Sequence, residues 1–111
     1  LRDPLIGEVL RLIHSRPAED WTLERLARAA GLSRSRLADR FIHFVGVSPI
    51  QYLISWRMQV AARRLEVPGA SLAQVGSEVG YESEAAFNRA FKKVVGLTPG
   101  AWRRTRISAQ P

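Results

Sequence analysis

The sequence predicts an all-α protein, and three observations carry that expectation. Apolar residues recur at helical spacing along most of the chain, while strand-like alternation is scarce. Ser, Thr or Asp stands where each helix would begin, often beside proline, and glycine stands where many would end. The chain also repeats itself once, each copy reading as a short helix, a glycine turn and a longer helix.

Asp3-Pro4 reads as an N-cap followed by proline in the first turn. Leu5, Ile6, Val9, Leu10 and Ile13 then share one face, which carries a first helix to about Ser15, with Pro17 beyond its end. Thr22 caps a second helix that turns Leu23, Leu26, Ala27 and Ala30 inward and stops at Gly31. Ser33 opens a third, reaching Val45 with Gly46 as its stop. Ser48-Pro49-Ile50-Gln51 is a capping box that starts a long helix to about Glu66, broken by Pro68-Gly69. Ser71-Leu72-Ala73-Gln74 is a second box, opening a short helix that ends at Gly80. Ser83 starts a helix to Val95 closed by Gly96, and Thr98-Pro99 opens a last helix through Trp102. The polar end, 105–111, is expected to fray as a flexible tail.

The repeat is specific in its chemistry. Thr22, Leu23, Leu26, Ala30 and Gly31 are matched 49 positions later by Ser71, Leu72, Val75, Val79 and Gly80. After one inserted residue the offset is 50, and Ser33, Leu37, Phe41, Val45, Gly46 and Pro49 meet Ser83, Phe87, Phe91, Val95, Gly96 and Pro99. The expected organisation is a helix-turn-helix subdomain at 1–47, a linker helix at 48–66 and a second helix-turn-helix subdomain at 67–104.

Composition narrows the function. The 111 residues are 46% hydrophobic, too apolar for a disordered chain, yet no apolar run reaches the length that spans a bilayer. There is no cysteine, and His14 and His43 are too few for an ordinary zinc site, so neither a metal nor another cofactor is expected. No phosphate-cradling glycine loop is present. His43 and Asp39 lie four apart on one helix, but no nucleophile or third partner accompanies them, so no catalytic residue and no enzyme activity is expected. Trp21, Tyr52, Trp56, Tyr81 and Trp102 are read as core rather than as a stacking surface. The formal net charge of +7, carried almost wholly by arginine, favours a polyanionic partner, with plain solubility as the alternative. The start at Leu1, without a signal peptide, leads us to expect a piece of a longer cytosolic protein.

At 100° per residue, Leu37, Phe41, Phe44 and Val45 fall on one side of the third helix, and Arg34, Ser35, Ala38, Asp39 and Ile42 on the other. In the second copy Phe87, Phe91, Val94 and Val95 form the core side, opposite Glu84, Ala85, Asn88, Arg89 and Lys92. Asn pairs bidentately with adenine and Arg with guanine, so Asn88 and Arg89 suit base readout; ordinary solvated surface is the alternative.

Gly31-Leu32-Ser33, Leu37, Phe41, Gly46, Ser48-Pro49, Tyr52-Leu53 and Arg57-Met58 resemble the first half of the AraC/XylS transcription-regulator DNA-binding domain. Val75-Gly76, Val79-Gly80-Tyr81, Ser83, Phe87, Arg89, Phe91-Lys92-Lys93, Gly96, Thr98-Pro99 and Trp102-Arg103 resemble its second half. The resemblance implies seven helices in two helix-turn-helix subdomains joined by the long central helix. It implies sequence-specific binding to double-stranded DNA, with the two recognition helices in successive major grooves. Carried over by position, the base-facing sites fall on Ser35, Ala38 and Asp39, with Arg34 beside them, and on Ala85, Asn88 and Arg89. The better-known members tend to place long polar or aromatic side chains in the first helix, and this chain departs from them there. Ala38 suits a thymine methyl; Asp39 suits a cytosine amino group or, alternatively, orients Arg34 or Arg36.

Phosphate contacts are expected at the helix N-termini behind Ser48 and Thr98 and at Arg34, Arg36, Arg40, Lys92, Lys93, Arg103 and Arg104, with Arg57 more structural. Further expected partners are RNA polymerase and an N-terminal effector or dimerisation domain, with no membrane role. The place of action is the bacterial cytoplasm, at the nucleoid. The rival reading is a basic helical module for protein partners, with DNA contact incidental.

Overall fold

A computed structural model describes residues 2–108 of the chain, with side chains through Arg106. Among the described residues every regular element is an α-helix: α1 (Pro4–Ser15), α2 (Leu23–Ala30), α3 (Arg34–Val45), α4 (Pro49–Leu65), α5 (Leu72–Glu78), α6 (Glu84–Val95) and α7 (Pro99–Ser108). The chain divides into two compact units, 1–56 and 57–111, with the boundary inside α4. The helix expected as a separate linker is therefore shared: Leu53 belongs to the first core, and Met58, Ala61 and Leu65 belong to the second.

Both units start their helices with the same chemistry. Thr22 Oγ1 accepts from the Arg25 amide at 3.0 Å and Ser71 Oγ from the Gln74 amide at 3.2 Å. Ser33 Oγ accepts from the Arg36 amide at 3.2 Å and Ser83 Oγ from the Ala86 amide at 3.0 Å. Each hydroxyl satisfies an amide that the first turn leaves without a partner. At Ser48 the box is reciprocal, since Gln51 Oε1 accepts from the Ser48 amide at 3.2 Å. At Ser71 it is half formed, because the Gln74 side chain donates to Glu78 at 3.3 Å instead. Left-handed glycines close the turns, Gly31 at φ 70° and Gly80 at φ 103°, where a side chain would be strained.

The first core gathers Ile6, Val9, Ile13, Leu26, Ala27, Leu37, Phe41 and Leu53, with Trp21, Tyr52 and Trp56 packed against it. The second gathers Met58, Ala61, Leu65, Val75, Val79, Phe87 and Phe91, with Tyr81 and Trp102 against it. A paired exchange of volume is visible between the copies. The first unit buries Ala27 and Leu37, whereas the equivalent positions of the second hold Gly76 and Phe87. A methyl added at Gly76 would stand 2.9 Å from both Cβ and Cγ of Phe87, so α5 and α6 approach too closely there for a side chain.

Two expectations need correction. Phe44, Val94 and Val95 are not core; they are 45%, 45% and 38% exposed. A helical wheel gives direction but not reach, and these residues lie beyond Phe41 and Phe91, the last fully buried residues of α3 and α6. Helix α7 also continues past Trp102 into the stretch expected to fray. Thr105 Oγ1 donates to the Trp102 carbonyl at 2.7 Å, and the Arg106 guanidinium lies 5.1 Å over the Trp102 ring. Residues 109–111 of the expected tail lie outside the described residues.

Gly76→Ala is expected to destabilise the fold by about 1–3 kcal/mol through overpacking, despite the better helix propensity of alanine. Adding Phe87→Leu should leave most of that loss in place, because leucine keeps the Cβ and Cγ atoms that crowd the added methyl. Urea unfolding midpoints of both variants check this; full rescue by leucine would mean that the ring beyond Cγ, and not the close approach of the helices, sets the cost.

Candidate nucleic-acid interface

In each unit the short helix, α2 or α5, leads through its glycine turn into the longer helix, α3 or α6. Burial of Leu37 and Phe41 turns Ser35, Asp39 and Ile42 outward on α3; Arg34 and Arg36 are also exposed, and Ala38 is half-buried. A shallow depression beside Ala38 is lined by Leu23, Ser33, Arg34 and Ser35. Burial of Phe87 and Phe91 likewise leaves Glu84, Ala85, Arg89, Lys92 and Lys93 exposed on α6. Asn88 is half-buried, and its Oδ1 is buried without a hydrogen-bond partner.

Charge is partitioned. Arg11, Arg25, Arg28, Arg64 and Arg106 are paired with Glu8, Glu19, Glu24, Glu78 and Glu66. Among the described residues, no acid pairs with Arg34, Arg36, Arg89, Lys92 or Lys93. Asp39 is exposed and holds neither Arg34 nor Arg36, so the orienting alternative finds no ion pair.

Two of the residues expected at phosphates make contacts within the fold. Arg40 clasps Asp3, with Nε 2.9 Å from Oδ2 and Nη2 2.7 Å from both carboxylate oxygens. Asp3 is only 4% exposed and also accepts the Leu5 and Ile6 amides at 3.1 and 3.3 Å. Releasing Arg40 to a phosphate would leave that buried carboxylate without its counter-charge. Arg103 is half-buried and donates through Nη1 to the Ala70 carbonyl, tying α7 to the loop before α5. Arg57 lies 5.5 Å over the Tyr81 ring, in keeping with a structural place. Sequence reading takes Asp3 as a cap only; its partner is 37 residues away, and no local pattern signals the pair.

The helix N-termini behind Ser48 and Thr98 have the expected form. Ser48 Oγ accepts from the Gln51 amide and Thr98 Oγ1 from the Ala101 amide, each at 3.2 Å. A cap satisfies one amide, and the remaining first-turn N–H groups keep the positive end of the helix dipole.

Two copies of a short helix, a glycine turn and an outward-facing second helix define a tandem helix-turn-helix protein. A family model described as a helix-turn-helix domain matches residues 26–105. A putative AraC-like transcription regulator of Streptomyces antibioticus is 45% identical over 104 residues, which are 94% of this chain and 34% of that protein. The DNA-binding domain of AdpA, a global transcriptional factor solved in complex with a target DNA, matches with TM-score 0.89 at 32% identity. That match covers 98% of this chain and 97% of that one. The C-terminal domain of AraT, a response regulator from Geobacillus stearothermophilus, matches with TM-score 0.90 at 30% identity, covering 94% of this chain and 87% of that one. This chain belongs to the AraC-type helix-turn-helix family. It spans about a third of the length of the curated relatives it matches.

The Arg40 guanidinium holds the Asp3 carboxyl below the usual carboxylate range, against burial, which raises it; the Ile6 and Leu5 amides add to the lowering. A lowered folded-state pKa gives stability that is present above the unfolded value and lost as pH falls through the folded one. Asp3→Asn retains a capping side chain but removes the charge. The variant is expected to melt below wild type at neutral pH, with the gap closing as pH falls below about 4. A gap independent of pH would mean that the carboxylate charge is not the source of the loss.

Proposed function

We propose that this chain binds double-stranded DNA sequence-specifically as the DNA-reading part of a transcription regulator. The observation that carries this reading is the charge partition. Glu8, Glu19, Glu24, Glu66 and Glu78 are paired with arginines, while the second helices of both units present cations with no acid partner among the described residues. The target-DNA complex of the AdpA domain supports the same reading.

In this proposal each second helix enters its own segment of major groove. Ser35, Ala38 and Asp39 face base edges from the first unit, and Ala85, Asn88 and Arg89 from the second. Arg34, Arg36, Lys92, Lys93 and the N–H groups behind Ser48 and Thr98 hold phosphates. Arg40 and Arg103 are left out of that set. The chain acts by binding rather than catalysis. Its further partners are an N-terminal effector or dimerisation domain and RNA polymerase, in the cytoplasm at the nucleoid. Among the described residues no helix is long and apolar enough to cross a membrane. Exposed Phe44, Val47, Val94 and Leu97 favour a second reading, a module for protein partners.

A salt titration separates the two. Duplex binding should weaken steeply with salt, log K falling with log salt by about 0.9 per phosphate contact. Salt-independent binding would falsify the DNA reading. Arg89→Ala is expected to leave stability within about 0.5 kcal/mol, since the residue is exposed opposite Phe87. Specific binding should weaken by about 1–3 kcal/mol, with discrimination lost mainly at one base pair. Binding curves on specific and scrambled duplexes check this. Equal binding by variant and wild type on both duplexes would remove Arg89 from the interface.

A further inference from the structure

We infer that α3 reads pyrimidine edges: Ala38 and Ile42 receive the C5-methyl group of a thymine, and the Asp39 carboxylate accepts from the N4-amino group of a cytosine. The inference rests on the DNA-binding reading above and specifies what the first unit recognises. Ile42 is 48% exposed on the outward arc of α3, four residues from Ala38 and so on the same face. Ala38 borders the shallow depression that Leu23 also lines, which extends the apolar strip. Unpaired Arg34 lies one turn before Ala38 on the same face and also lines the depression, and unpaired Arg36 stands beyond Asp39 on the same helix. An apolar strip flanked by free cations suits a methyl-bearing edge inside a polyanion, and thymine alone among the unmodified bases carries a methyl group in the major groove.

Asp39 adds an independent constraint. Its carboxylate is exposed and has no partner among the described residues. Phosphates repel it, so on this face it needs a donor, and cytosine N4 supplies one in the major groove. The second unit reverses this chemistry: the repeat equivalents of Ala38, Asp39 and Ile42 are Asn88, Arg89 and Lys92. One helix carries an exposed arginine and lysine there, while the other carries groups complementary to pyrimidines.

The probe is a duplex enriched by the wild-type chain from a randomised pool. Each thymine is replaced singly by deoxyuridine, which removes the methyl group and leaves the pairing edge unchanged. Wild type should lose about three- to fivefold in affinity at one or two positions, the effect of one methyl group leaving an apolar contact. In Ile42→Ala, and in Ile42→Gln, the same replacements should change affinity less than about twofold. Asp39→Ala should lose a preference for cytosine of about tenfold at a neighbouring pair. Melting curves confirm that the variants fold. Indifference of wild type to every deoxyuridine, or undiminished sensitivity in both Ile42 variants, overturns the methyl contact. Retention of the cytosine preference by Asp39→Ala overturns the amino contact. In those cases DNA binding itself still stands; failure to enrich any duplex would overturn both readings.

Discussion

Each second helix is held by a pair of buried side chains one turn apart, Leu37 and Phe41 in one unit and Phe87 and Phe91 in the other. Units of this size have little core to distribute, so a single buried helix face carries a large share of the stability. The same burial sets function. A helix pinned along one face has its opposite face determined by the 100° step, and the candidate readout residues occupy that opposite face. Caps at Ser33 and Ser83 fix where each helix begins, and left-handed Gly46 and Gly96 fix where it ends. The outward arcs thus follow from core packing and need no interactions of their own.

Arginine serves two purposes in this chain, and partners distinguish them. Arg25 pairs with Glu19 and lies 4.9 Å over Trp21, while Arg40 clasps the buried Asp3. These guanidinium groups brace the fold. Arg34 and Arg36 on α3 and Arg89, Lys92 and Lys93 on α6 have no such anchor, and an unanchored cation remains available to a phosphate or a base edge. The net charge of +7 is therefore an incomplete description of the surface, because much of the positive charge is already neutralised where it stands.

Duplication followed by divergence is visible at two levels. Inside, the Ala27 and Leu37 volumes become Gly76 and Phe87, a change confined to packing. Outside, Ala38, Asp39 and Ile42 become Asn88, Arg89 and Lys92, a change that replaces an apolar and acidic arc by an amide and two cations. Caps and turn glycines are retained through both changes, since the backbone path depends on them.

Local signals are enough to read the helices, their caps, the internal repeat and the outward arcs, because each depends on residues within a turn or two of one another. Ser48 with Gln51 shows this directly: a box written in four residues forms as a box. Long-range partners are not written locally. Nothing near Arg40 announces Asp3, and nothing near Arg103 announces the Ala70 carbonyl, so neither contact is legible before the chain is folded. Phe44, Val94 and Val95 fail for a related reason: periodicity gives the direction of a side chain, but only the tertiary structure decides whether another element reaches far enough to cover it.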